Sequence, residues 1–131
     1  MALDVGIYSG SGLKDPLERD LVVTLEDGDL AFLFEALEDI RNKTSVEIVP
    51  WEDARLDGAQ LTLLDDHLIE RISVVSEKPE SWDEYIGFQV KPKKKIYVRL
   101  IKKDMLKKLN SLRKLIEKAL EKQRVLFFFG D

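Results

Sequence analysis

Residues 104–123, DMLKKLNSLRKLIEKALEKQ, and residues 125–129, VLFFF, decide the architecture of this chain. In the first segment Met105, Leu106, Leu109, Leu112, Leu115, Ile116, Ala119 and Leu120 recur at the spacing of one apolar face of an α-helix. The second segment is apolar at every position, as in a strand covered on both faces. Ahead of both, Tyr85–Val90 and Ile96–Ile101 are rich in β-branched and aromatic residues, and Lys91-Pro92-Lys93-Lys94 between them suits a turn, so the two runs predict a hairpin. Strand, helix and strand in that order imply a right-handed crossover that lays the last strand parallel to the Ile96 strand. The C-terminal strand is then internal to the sheet, and its removal is expected to unfold the protein.

Upstream, Asp57-Gly58-Ala59-Gln60 has the form of a capping box, and Leu61, Leu64, Leu68, Ile72 and Val75 supply the apolar face of a helix that Pro79 ends. A further helix is expected from an N-cap at Asp29 to about Arg41, with Leu30, Leu33, Phe34, Leu37 and Ile40 inward. Asp27-Gly28 also suits a hairpin turn, but the following Glu35-Ala36-Leu37-Glu38 favours helix. Ser45–Val49, stopped by Pro50, reads as a strand, as do Leu3–Tyr8, which leads into the turn Ser9-Gly10-Ser11-Gly12, and Leu21–Leu25. Pro16 opposes a helix between the last two. No repeat or linker divides the chain. The expectation is one α/β (α+β) domain over residues 1–131: a mixed sheet of about five to six strands packed against three amphipathic helices, with the C-terminal strand internal.

With 131 residues and no Cys, the chain is long enough for a core of its own and has neither disulfides nor thiolate metal sites, which fits a reducing compartment. The N-terminus carries Asp4 where a secretory signal needs cations, and no apolar run approaches the roughly 18 residues of a membrane helix, so a cytoplasmic protein without membrane contact is expected. The net charge of −4 conceals a division: residues 1–90 hold 21 acids against 7 Lys and Arg, whereas residues 91–130 hold 14 Lys and Arg against 3 acids. Such an asymmetry bears on partners and on self-association, including contact between the acidic part of one copy and the basic part of another.

Signatures of chemistry are sparse. His67 is the one histidine, so a catalytic triad or a His-rich metal site has to be built around it, and its place on the flank of a helical apolar face suits a structural role. Asp65, Asp66 and His67 are consecutive on a helix and diverge by about 100 degrees each, which prevents them from converging on one metal ion. Gly10-Ser11-Gly12-Leu13-Lys14 lacks the spacing of a phosphate-binding loop, and Pro16 blocks the helix that would complete one. No metal, no cofactor and no enzymatic activity are expected; Glu52 and Asp53 as general bases in a cleft are the weakest of three functional readings.

The densest polar and aromatic segment outside an element is Trp51-Glu52-Asp53-Ala54-Arg55-Leu56-Asp57. Trp51 there either plugs the core or binds a partner, and Arg55 is expected to pair with Asp65, which needs a partner if buried. Lys43-Thr44, Pro50 to Leu56, and the closing Phe128-Phe129-Gly130-Asp131 resemble a group of small bacterial α/β proteins in which an aromatic-x-Asp-Ala/Thr-Arg segment precedes a capped helix. The resemblance covers the chain from about Leu30 onward. It implies a bacterial cytoplasmic origin and a single domain, and attaches no activity.

Two surfaces compete as binding sites. On the wheel of the first helix Phe32 points about 160 degrees from Leu30, beside Glu35 and Asp39, an aromatic anchor ringed by acids unless the N-terminal segment covers it. With Trp51, Glu52 and Asp53 these residues make an acidic surface for a basic protein partner, an immunity-type inhibitor of a toxin being one version. The alternative is a polyanion or nucleic-acid surface: Lys93 and Lys94 in the hairpin turn, with Lys107, Lys114 and Lys118 on the last helix opposite its apolar face. The sequence shows no aromatic residues interleaved with these lysines, and Glu117 and Glu121 interrupt the stripe. The protein-binding reading therefore leads.

Overall fold

Leu126–Phe129 forms a strand with a neighbour on each side, so the apolar C-terminal run is internal to a sheet. The computed structural model describes residues 2–7 and 22–130, in the order β1 (Leu3–Ile7), β2 (Val23–Leu25), α1 (Asp27–Phe32), α2 (Phe34–Thr44), β3 (Ala54–Leu56), α3 (Ala59–Ser76), β4 (Ser81–Gln89), β5 (Lys94–Ile101), α4 (Lys102–Glu121) and β6 (Leu126–Phe129). Tyr8, the glycine-rich turn, Lys14, Pro16 and Leu21 lie outside the described residues.

The α+β class stands, but the strands divide into two antiparallel sheets. One has the order β2-β1-β6-β3; the other is the β4-β5 hairpin. The expected parallel crossover is absent: β6 pairs antiparallel with β1 (Val5 opposite Phe128) and with β3 (Arg55 opposite Phe127), while β5 pairs with β4. The reason lies in side-chain alternation. Lys95, Tyr97, Arg99 and Ile101 expose every second position of β5, so that strand has a wet face, whereas β6 has no charged position and fits between β1 and β3, which bury Leu3, Val5, Ile7 and Leu56 beside it. Helices cover one face of the four-stranded sheet: Leu3, Val5, Ile7, Leu25, Leu56, Leu126 and Phe128 are buried, while Phe127 and Phe129 on the other face are half-buried and stack at 5.6 Å.

One hydrophobic cluster joins this sheet to α3 and α4, which pack along each other. The expected inward faces of both helices are observed at Leu61, Leu64, Leu68, Val75, Met105, Leu109, Leu112, Leu115, Ile116 and Ala119, with Ile72 and Leu106 partly buried and Leu120 exposed. The Gln60 side chain accepts the Asp57 N–H at 3.1 Å, the returning half of the expected capping box, although Gly58 holds the N-cap position. Lys102 donates to the carbonyls of Ser76 and Lys78, satisfying acceptors at the end of α3 and tying it to the start of α4.

Two further expectations change. The helix expected from an Asp29 cap begins at Asp27 and is interrupted at Leu33; Asp29 occupies its third position, where Oδ2 accepts the N–H of the N-cap residue Glu26 at 2.9 Å. Ser45–Val49 is not a strand, because α2 continues to Thr44 and Ser45 turns left-handed at φ 64°.

Candidate functional site

The site follows from how α1 and α2 lie on the molecule. Their buried stripe runs through Gly28, Asp29, Phe32, Leu33, Ala36 and Ile40. Two of these are small, and they mark close approach: a Cβ on Gly28 would stand 2.9 Å from Leu100 Cδ2 and 3.0 Å from Val98 Cγ1 of β5. With the stripe so placed, Phe32 is inside at 5 % exposure, its ring 5.8 Å from that of Trp82 on β4 and beneath the Arg71 guanidinium at 5.1 Å. Phe32 is therefore not the exposed anchor. It is covered by β4 and α3. Phe34, two positions on, takes the opposite side and is 60 % exposed.

Phe34 stands over a groove of about 350 Å³ whose walls include Leu30, Leu37, Ile48, Val49 and Ile86, and whose far lip is Trp51 at 59 % exposure. Asp27, Glu38 and Glu47 line its rim, with Arg41 as the single cation, already held by Glu38 at 2.9 Å. On its other side Phe34 borders a second depression with Glu35, Arg71 and Tyr85.

The Trp51 loop is positioned from the C-terminus. The Gly130 N–H donates to Asp53 Oδ1 at 3.0 Å, and a Cβ on Gly130 would lie 2.6–2.7 Å from the backbone of Glu52 and Pro50, a clash that only glycine avoids. The segments Pro50–Leu56 and Phe128–Gly130 thus meet. Thr44 closes α2 with its hydroxyl donating to Ile40 O and accepting the Val46 N–H.

Of the residues expected to form one acidic surface, Trp51 lines the groove, Glu35 borders the second depression and Glu52 is exposed beside Trp51, while Asp53, also exposed, accepts the Gly130 N–H and Asp39 is turned to α3. His67 Nε2 lies 2.7 Å from Asp39 Oδ2, and Lys43 Nζ reaches the same oxygen at 3.0 Å. The hydrogen bond from His67, and then that from Lys43, hold the Asp39 carboxyl below its ordinary value against a smaller opposing effect of burial. His67 is thus a tie between α2 and α3.

The expected Arg55–Asp65 pair does not form. Arg55 is exposed on β3, whereas Asp65 faces α4 and binds Arg113 through both oxygens, at 2.9 and 3.3 Å. With Asp65 turned to Arg113, His67 to Asp39 and Asp66 to solvent, the three diverge, and no metal-holding cluster occurs among the described residues. The basic residues also separate. Lys107 and Lys114 are exposed on α4 and Lys118 is half-buried, but Lys93 and Lys94 sit at the far end of β5, about 25 Å along the strand from α4 at some 3.3 Å per residue. Lys108 turns inward to Asp29 at 2.6 Å.

The groove residues Phe34, Glu38 and Glu47 were not singled out by the sequence. Phe34 has helical apolar spacing, which assigns it to the core, and only the small residues Gly28 and Ala36 signal that the buried stripe runs beside it. Among the described residues no helix is long and apolar enough to cross a membrane. Comparison with protein-family models, curated proteins and solved structures finds no match.

Proposed function

We propose that this chain is a non-enzymatic protein-binding module that receives an apolar side chain of a basic partner in the groove between Phe34 and Trp51. One observation carries the reading: two aromatic rings, each more than half exposed, line one concave apolar depression within the acidic part of the surface. A lone exposed aromatic is ordinary, but paired aromatics around a cavity form the desolvated centre where binding energy concentrates. The rim acids Asp27, Glu38 and Glu47, with Glu35 beside them, suit a partner whose anchor is flanked by Lys or Arg and would speed its approach. Inhibition of a basic enzyme by covering its active site, as an immunity-type protein does, is one form of such binding.

The test is selection of displayed random peptides on the immobilised protein, followed by titration of the recovered sequences. Peptides pairing an aromatic or large aliphatic residue with Lys or Arg are expected, with affinity falling about 30-fold or more on Phe34→Ala or Trp51→Ala, the loss typical of an interface centre. Recovery of no such peptide, or undiminished binding to the Phe34→Ala/Trp51→Ala double variant, refutes the reading.

A further inference from the structure

The outer face of the β4-β5 hairpin brings together what neither strand shows alone. Cross-strand neighbours along it are Asp83 and Arg99, then Tyr85 and Tyr97, then Phe88 and Lys95, all exposed. Residues three apart on a regular strand point to opposite faces, yet Tyr85 and Phe88 share one, because the register shifts between Tyr85 and Gly87. Tyr85 and Tyr97 meet edge to face at 5.8 Å, and with Phe88 they make an aromatic platform whose members are 48–52 % exposed. Beyond Phe88 the turn adds Lys91 and Lys93, both exposed, near Lys95, while Lys94 alternates to the opposite face of β5.

We infer that this face binds single-stranded nucleic acid, with bases stacked on Tyr97, Tyr85 and Phe88 and phosphates held by Lys91, Lys93 and Lys95. Aromatic faces flanked by cations are the arrangement by which proteins hold single strands irrespective of sequence. The aromatic rungs are two ladder steps apart, about 7 Å, so adjacent bases of an extended strand meet successive rings. Stacking of neighbouring base pairs covers the base faces in a duplex, so duplex binds poorly. An anionic membrane fits less well: a hairpin inserting into lipid would carry its largest apolar groups at the turn, whereas this turn carries Lys91, Pro92 and Lys93 with the aromatics set back from it, and Asp83 lies on the same face. A second copy of the face would be repelled by the same lysines.

The experiment is fluorescence anisotropy of labelled oligothymidylate and oligouridylate, with the matching duplexes and anionic phospholipid vesicles as comparators, on the full chain. Single strands are expected to bind, with a slope of log affinity against log salt near −2 if three phosphates are neutralised at about −0.7 each. Tyr97→Ala and Phe88→Ala each weaken binding about tenfold or more without changing that slope. Lys93→Ala with Lys95→Ala weakens binding and reduces the slope by about 1.4. Trp51→Ala, in the groove and outside the depression that Phe34 shares with Tyr85, leaves it unchanged, so failure of the groove and failure of the platform are distinguished. Unchanged thermal melting of the variants shows that they fold. No single-strand binding at low salt, equal affinity for duplex, full affinity in folded Tyr97→Ala and Phe88→Ala, or retention on vesicles alone each overturns the inference.

Discussion

Replacing Lys108 with methionine isolates the one buried carboxylate of the described residues. Asp29 is 6 % exposed at its side chain and Lys108 31 %, with Lys108 Nζ 2.6 Å from Asp29 Oδ2. The same oxygen accepts the Glu26 N–H, so Lys108→Met leaves a carboxylate between α1 and α4 with one backbone donor and no counter-charge. Breaking a fully buried pair costs about 3–5 kcal/mol; the partly exposed ammonium and the surviving N–H reduce this to about 2 kcal/mol. With an unfolding entropy of about 2.1 cal/mol/K per residue over 131 residues, that lowers Tm by about 7 °C. Asp29→Asn keeps an acceptor for Glu26 and frees the Lys108 ammonium to water, so it costs only about 1 kcal/mol. In that background Lys108→Met should cost less than about 0.5 kcal/mol, because the charge it strands is gone. Urea denaturation of the four proteins closes the cycle. A Lys108→Met cost that is equal in both backgrounds, or below about 0.5 kcal/mol in the natural one, refutes the pairing.

The neighbouring phenylalanines separate core from surface: Phe32→Ala should cost about 3–5 kcal/mol and Phe34→Ala within about 0.5 kcal/mol, read from urea midpoints, and the reverse order would place the groove on the wrong arc of α1 and α2. Arg113→Ala should lose about 0.5–1 kcal/mol with its paired contact to Asp65, and Arg55→Ala almost nothing; equal losses would restore Arg55 as a partner. Asp39 gives a pH signature. Its carboxyl is held below 3.8 in the folded protein, so the unfolded chain takes up its proton first; the stabilisation is complete above the ordinary carboxylate value and drains as pH falls through the folded one. The stability gap between wild type and Asp39→Asn should therefore be full at pH values above the ordinary carboxylate range and narrow as pH falls below it, and a gap that does not narrow there would mean that the His67 and Lys43 contacts do not persist in solution.

What was legible in the sequence follows from how each element is covered. The faces of α3 and α4 could be read because each buries a stripe of large side chains against several neighbours, and a wide stripe survives a small error in phase. The stripe of α1 and α2 is carried partly by Gly28 and Ala36, so an apolar count gives Phe34 more weight than the residue that touches Leu100 and Val98, and rotates the face until core and groove exchange places. Sheet partners were harder, since the β5-α4-β6 order permits a crossover and only the contrast between an alternating β5 and an unbroken β6 argues against it. The expected pairing of Asp65 with Arg55 rests on the place of Asp65 in the apolar arc of its helix, but its partner, Arg113, is 48 residues away on the helix it faces. The hairpin makes the same point about function. Tyr85 and Phe88 lie on opposite faces of any regular strand, and a bulge that no period-two pattern announces sets them side by side. The absence of aromatics among the lysines was true of the sequence and is false of the folded surface, where Lys95 lies opposite Phe88 and next along the face to Tyr97. Weighing a basic segment for nucleic acid therefore requires the register of its strands, because stacking and charge combine across the ladder and not along the chain.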